Sequence, residues 1–317
     1  MSYFPGSKFL FLFVYITTFI TGVPLNIAAL ATFINKANHD LRPVDILLAN
    51  LTISDLLLLI FLPFRMVEAA FDMDWILPYA FCPLSAFMYF SSIYVTSLFL
   101  MAISIERYLA TAFPIKYKMR RKPLYSLLGS LFIWCIAAAH CSIVYIVEHD
   151  TTSTDSNVTL CYSAFSPPEL EVLLTVRLEM CFVLFCVPFM ITIFCYGNLF
   201  RIVFWKSHLN RKRKQKTIGL VMATFVNFIV CFMPFNLSHI VGFITGANPE
   251  WRVYALLLST FNASLDPIIF YFSSASFKKS FLEGLIHLMK KLHLGPGWYT
   301  LCIAPCEKET KNTNVSS

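Results

Sequence analysis

The stretch LLTVRLEMCFVLFCVPFM, residues 173–190, is apolar at nearly every position, yet Arg177 stands in its first half. It lies within a longer apolar run, Glu169–Phe204, long enough to cross a bilayer core of about 30 Å as a helix. Six more runs have the same character: Phe9–Ile34, Val44–Ala70, Tyr79–Ala112, Pro123–Val147, Ile218–Thr245 and Tyr254–Ser273. Lone strands cannot satisfy their backbone in lipid, so each run is expected to be a helix. The expected fold is an all-α membrane protein, a seven-transmembrane helix bundle over residues 9–273 behind a short outer segment, residues 1–8.

Composition agrees. The chain has 317 residues, 57% of them hydrophobic and 14% charged, against about 25% charged in a soluble domain. Its mean hydropathy is +0.67. The first run is too long for a signal peptide and lacks a basic leader and a clear small-residue cleavage site, so it is expected to be retained. No internal repeat is visible, so the inverted halves of many transporters gain no support.

Basic residues set the orientation. Lys36 and Arg42 follow run one. Lys116, Lys118, Arg120, Arg121 and Lys122 follow run three, and Lys206, Arg211, Lys212, Arg213, Lys214 and Lys216 follow run five. The alternate loops, residues 72–78 and 148–168, hold no Lys or Arg. The positive-inside rule puts the first set in the cytoplasm, the N-terminus outside and the tail inside. The net charge of +7 is then a topology signal and calls for no nucleic acid.

Of ten cysteines, Cys82 and Cys161 face outward, where a pair reads as a disulfide. Asn157-Val158-Thr159 is an outer glycosylation acceptor. After run seven, Phe277, Phe281, Leu285, Leu288, Met289 and Leu292 recur at helical spacing with lysines largely opposite. Residues 274–292 are therefore expected to form an amphipathic eighth helix lying on the inner lipid surface. In the tail, residues 293–317, Cys302 and Cys306 are either palmitoylated or free thiols.

Ionisable residues inside spans are costly and point to function. They form three layers. The inner layer is Glu106-Arg107-Tyr108, where carboxylate and guanidinium can form a breakable pair or simply anchor the helix end. The middle layer is Asp55 with Asp266. Two buried acids cannot easily both be charged, so either one keeps a proton or a cation such as sodium sits between them. The outer layer is His140, Arg177, His239 and Arg252. Arg177 lies nine residues past Pro168, roughly 13 Å along a helix, too deep for a loop and shallow enough for a pocket. Glu179, two residues on, faces another way and is a poor partner for it. A guanidinium grips a carboxylate with two parallel bonds. Two arginines and two imidazoles converging at one depth would make a carboxylate clamp. Phe90, Tyr94 and Tyr145 would close the pocket around it, or would only pack helices.

These residues, taken together in order and spacing, resemble the rhodopsin-like (class A) G-protein-coupled receptors. The resemblance rests on Asn26, Asn50-Leu51 with Asp55, Cys82, Glu106-Arg107-Tyr108, Trp134, Pro188, Tyr196, Cys231-Phe232-Met233-Pro234 and Asp266-Pro267-Ile268-Ile269-Phe270. Glu106 stands where the family has Asp, Phe232 where it has Trp, Asp266 where it has Asn, and Phe270 where it has Tyr. The resemblance implies that an outer agonist shifts a two-state equilibrium, helix six swings out at its inner end, and Arg107 leaves Glu106 to meet Tyr196 and a G protein. Phe232, Pro234, Asp266 and Pro267 belong to that switch. Arrestin is a further implied partner, and the plasma membrane the implied location.

A narrower resemblance follows. His140-Cys141-Ser142, Val176-Arg177-Leu178-Glu179, Asn236-Leu237-Ser238-His239 and Asn262-Ala263-Ser264-Leu265-Asp266-Pro267 are similar to the free fatty acid receptors. In that family two arginines hold the fatty-acid carboxylate, and a histidine at the place of His239 goes with short-chain ligands. Phe113–Tyr117 and the helix-seven motif look most like one short-chain subtype and Leu62–Ala70 looks more like the other, so the resemblance is nearer the first. The function implied is a receptor for acetate, propionate and butyrate that signals through G proteins of the Gi and Gq classes. The alternatives are a class A receptor for another small anion and a monocarboxylate transporter. With no HExxH motif and no nucleophile–base pair, no enzyme, metal centre or cofactor is expected, save the sodium ion between the two acids.

Overall fold

Prolines mark three of the span starts, where their missing N–H costs nothing: Pro43 opens α2 (Pro43–Ala70), Pro123 opens α5 (Pro123–Cys141) and Pro167 opens α7 (Pro167–Met180). With α1 (Ser7–Ala37), α3 (Phe81–Ala112), α4 (Pro114–Arg120), α6 (Ile143–Val147), α8 (Val187–Trp205), α9 (Arg211–Val226), α10 (Met233–Thr245), α11 (Arg252–Thr260) and α12 (Asn262–Ser273) they make an all-helical bundle. The computed structural model describes residues 7–37, 41–120, 122–147, 161–162, 165–205 and 211–273. Among the described residues there is no strand. The eighth helix, the glycosylation acceptor Asn157 and the tail cysteines Cys302 and Cys306 lie outside them.

Six of the expected spans are helices long and apolar enough to cross a membrane. The seventh is broken at Phe261 into α11 and α12, of 9 and 12 residues. It starts two residues before the sequence reading put it, and Arg252 is its first residue.

Spans five and six each widen into a π turn, over Cys181–Cys186 and Asn227–Phe232. The sequence reading expected unbroken helices. The cause lies just beyond each turn. Pro188 and Pro234 donate no N–H, and their rings would press on the carbonyls of Leu184 and Val230, so the chain loosens there.

The bundle is apolar outside and polar within. Ile20, Ile60, Phe132 and Phe194 are more than 60% exposed, whereas Asn26, Asp55, Asn227, Asn262 and Asp266 are at most 1% exposed. Helices in lipid gain little from apolar contact with one another, so buried polar groups join them. Asn26 Nδ2 donates to the Ala263 carbonyl at 2.7 Å, joining α1 to α12. Trp134 Nε1 donates to Asn50 Oδ1 at 3.0 Å, joining α5 to α2. Tyr89 Oη donates to the Leu256 carbonyl at 2.9 Å, joining α3 to α11. The disulfide Cys82–Cys161 forms as expected and ties residues 161–162 to the head of α3.

At the inner end Asp45, 1% exposed, takes bonds from Lys36 Nζ at 2.7 Å and from Arg42 Nε and Nη2 at 2.9 and 3.0 Å. It clamps the end of α1 to the start of α2. Removing one partner of a buried ion pair costs about 3–5 kcal/mol. Asp45→Ala should therefore lower the thermal midpoint of the detergent-purified protein by several degrees and reduce the amount at the cell surface.

Candidate functional site

Helix α7 starts after Ser166, whose backbone N–H donates to Glu169 Oε2 at 2.7 Å. Ten residues past the first proline, Arg177 turns inward and is 4% exposed. On α10, His239 is 2% exposed and sits beside Tyr94 of α3, with Nε2 and the tyrosine Oη 3.1 Å apart. Arg252 opens α11, and its own N–H donates to the Pro249 carbonyl at 3.0 Å. A cation at a helix N-terminus meets the positive end of the dipole, so this placement favours an added anion.

These three residues and Tyr94 and Phe90 line one small cavity of about 20 Å³, with Tyr162, Phe235, Met180 and Val144 completing its wall. Aromatic faces hold both guanidinium groups. Arg177 lies 5.7 Å from the Tyr162 ring and 5.6 Å from Phe165, and Arg252 lies 5.1 Å from Phe235 and 5.9 Å from Phe90. Such contacts steady a cation without neutralising it. The two arginines are near enough to repel each other. Among the described residues neither is paired with a carboxylate. Arg177 Nη1 donates to the neutral Asn248 Oδ1 at 2.7 Å.

Three nitrogens at this cavity are buried without a hydrogen-bond partner: Arg177 Nη2, Arg252 Nε and His239 Nδ1. When Tyr94 donates to His239 Nε2, the imidazole proton sits on Nδ1 and becomes a third donor. Buried donors without acceptors are costly, and an anion in the cavity would bring acceptors to them.

The structure does not bring the whole expected set together. His140 faces away from the cavity; its Nε2 is 3.1 Å from Glu179 Oε1 and its Nδ1 is 2.8 Å from the Ile136 carbonyl. Glu179, by helical spacing a poor partner for Arg177, meets His140 of α5 instead. Tyr145 is 46% exposed and packs on Phe87. Conversely, Asn248, Tyr162, Phe165 and Phe235 belong to the site and were not foreseen. Tyr162 had one signal: it follows the disulfide cysteine Cys161. Its backbone is left-handed, with φ 56°, a conformation that bulky residues avoid, and the neighbouring disulfide and aromatic packing hold it over the cavity.

In the middle layer Asp55 and Asp266 are close enough to interact. Asn262 Nδ2 lies 3.3 Å from both Asp55 Oδ1 and Thr96 Oγ1. Asn227 Nδ2, on the π turn of span six, donates to Asp266 Oδ1 at 2.6 Å and to Asn262 Oδ1 at 2.8 Å. Asp55 Oδ2 and Asp266 Oδ2 are buried without a hydrogen-bond partner. Two such oxygens suit a small cation, and equally a shared proton. Deeper still, Arg107 lies within electrostatic reach of Tyr196. The Tyr196 hydroxyl is 3.4 Å from Thr224 Oγ1 of α9. Glu106 keeps one buried oxygen, Oε2, without a hydrogen-bond partner. Tyr108 packs edge-on against Phe194, and Phe232 is fully buried beside Phe228.

Residues 25–270 match the 7 transmembrane receptor (rhodopsin family). The chain is 49% identical over 291 residues to free fatty acid receptor 3 of Rattus norvegicus, covering 91% of each sequence. It is 46% identical over 284 residues to free fatty acid receptor 2 of the same species, covering 88% of this chain and 86% of the relative. Free fatty acid receptor 1 of Mesocricetus auratus is 32% identical over 286 residues, covering 85% and 93%. Of those two, receptor 3 has the higher identity, 49% against 46%.

Proposed function

The chain belongs to the rhodopsin family of seven-transmembrane receptors and, within it, to the free fatty acid receptors, and from that premise we propose that it is a sensor of short-chain fatty acids. It is a multi-pass plasma-membrane receptor and not an enzyme, with fatty acids as its ligand class and G proteins as its partners. The finer reading is ours: acetate, propionate or butyrate bound from outside, an extracellular N-terminus, coupling to Gi and Gq, and arrestin as a later partner.

The observation that carries it is the trio of unpartnered nitrogens, Arg177 Nη2, Arg252 Nε and His239 Nδ1, on one small cavity. A carboxylate supplies two acceptor oxygens and the compensating charge in one group. The cavity is small, about 20 Å³ of free space beside the roughly 300–1,000 Å³ of drug-sized pockets, so it favours an acid of few atoms. Each methylene adds only about 0.8 kcal/mol, so nearly all affinity comes from the carboxylate. Binding is accordingly weak, roughly high micromolar to millimolar.

Binding draws α7, α10 and α11 towards one anion. Helix α10 runs through Pro234 and the π turn into α9, so a pull at His239 reaches the inner half of span six. There Asn227 is bonded to Asn262 and Asp266. Release of those bonds frees the inner end of α9, and Arg107 and Tyr196 come together on the G-protein side. A sodium ion or shared proton at Asp55 and Asp266 stabilises the resting arrangement. A ligand moves this equilibrium only by binding the active state better.

A second reading, a receptor for another small anion, rests on the same trio. Titration with lactate beside propionate separates the two.

In cells expressing the chain, propionate should lower cyclic AMP and raise calcium. Arg177→Ala and Arg252→Ala should each raise the half-maximal concentration at least tenfold at unchanged surface amount. A normal dose curve in either variant contradicts the clamp. Asn227→Ala, which cuts two bonds between spans six and seven, should raise signalling without ligand, and unchanged basal signalling would show those bonds to be packing only.

A further inference from the structure

The clamp holds a residue that no motif predicts. Asn248 lies in the turn 246–251 between α10 and α11, and its Oδ1 accepts from Arg177 Nη1 at 2.7 Å. The turn is firmly built. Gly246 ends α10 with φ 65°, in the left-handed region, and the Ala247 N–H donates to the Gly242 carbonyl at 3.2 Å. Thr245 Oγ1 reaches the Ala247 carbonyl at 3.4 Å, and the Pro249 carbonyl accepts from Arg252. Gly242 is tightly enclosed. A Cβ there would meet Leu174 Cδ2 at 3.1 Å and the Ala247 carbonyl at 3.2 Å. Leu174 is three residues before Arg177 on the same helix. One compact unit therefore fixes Asn248 relative to Arg177 and, four residues on, Arg252.

Asn248 also marks a boundary. It lines a larger outer cavity of about 70 Å³ together with Arg252, Arg65 and Glu68, whereas Arg177 lines the inner one. Asn248 therefore meets the Arg177 guanidinium from the side of the outer cavity.

The chemistry of that acceptor matters more than its shape. An amide oxygen fixes the plane of the guanidinium and satisfies one of its nitrogens, but it carries no net charge. The full positive charge of Arg177 remains for a ligand. A carboxylate of the same size would make the same bond and would also neutralise the arginine. Glu68, bonded to Arg65 Nη1 at 2.8 Å, is such a carboxylate in the adjoining cavity, so the outer face of this bundle uses acids against arginines elsewhere.

We propose that Asn248 is a positioning residue that sets the anion affinity of the site: it orients Arg177 through a neutral acceptor and leaves the arginine's charge unspent. This rests on the reading that the cavity binds a carboxylate. It adds that the neutrality of one turn residue determines how tightly.

The test compares charge at constant size. Wild type, Asn248→Asp, Asn248→Ala and Arg177→Ala are expressed, labelled at the cell surface and titrated with propionate, with cyclic AMP read out. Asn248→Asp should raise the half-maximal concentration at least tenfold, and Asn248→Ala threefold or less. A residue that merely braces the turn gives the opposite order, because aspartate keeps the shape and the bond while alanine loses both. A normal curve for Asn248→Asp, or a larger shift for alanine than for aspartate, overturns the proposal. If Asn248→Asp does not reach the surface, Asn248→Glu against Asn248→Gln makes the same comparison, and equal curves for that pair overturn it. A wild type silent to propionate, or a fully responsive Arg177→Ala, sinks the carboxylate reading itself and the inference with it. A responsive wild type with a normal aspartate variant sinks the inference alone.

Discussion

In a bilayer, apolar packing does not distinguish helix from lipid, and buried polar groups carry much of the specificity of assembly. This bundle depends on that constraint. Asn26, Asn50, Tyr89, Asn227 and Asn262 each use side-chain bonds to join one helix to another. Most buried polar groups in a native structure are hydrogen-bonded. Against that background, what distinguishes Arg177, Arg252 and His239 is that three buried donor nitrogens without partners belong to residues of a single cavity. They are a charge held in place by aromatic faces, and they wait for an acceptor that no described residue supplies.

The outer and middle layers of polar residues form a connected path. The outer nitrogens belong to α7, α10 and α11. Phe235 lies one turn before His239, with ring centroids 4.6 Å apart, and stacks on Phe90 at 6.1 Å. Phe232 and Phe228 continue inward to the π turn that carries Asn227. Asn227 then meets Asn262 and Asp266, and Asn262 meets Asp55 and Thr96. A π turn is less tightly bonded than an α-helix and is frequent at functional sites. Its place between ligand cavity and polar hub gives span six a natural point of bending, set by Pro234.

The sequence showed much of this. Seven apolar runs and alternating basic loops determined the fold, because hydropathy and charge placement are the main constraints on a chain in lipid. Arg177 announced itself, since a guanidinium in a span is too costly to be incidental. What stayed hidden was direction. Helical spacing told which way Glu179 does not point, but not that His140 would take it. Nothing in the runs foretold that Tyr145 would lie outside the cavity and Phe235 inside it. Asn248 sits in a short turn with no periodicity, and only the tertiary fold brings it to Arg177. The π turns were hidden too, although Pro188 and Pro234 were plain to see, because a proline reveals a disturbed helix without saying how the chain adjusts.

The central claim is that the cavity recognises negative charge rather than shape. Saturation-transfer NMR on the full chain in lipid nanodiscs tests it most directly, because the method detects weak ligands. Propionate should give a saturable methyl signal that acetate competes away. Propionamide, nearly the same in size and uncharged, should give none. An equal signal from propionamide would contradict the account, since the two arginines would then be doing nothing that a neutral pocket could not do.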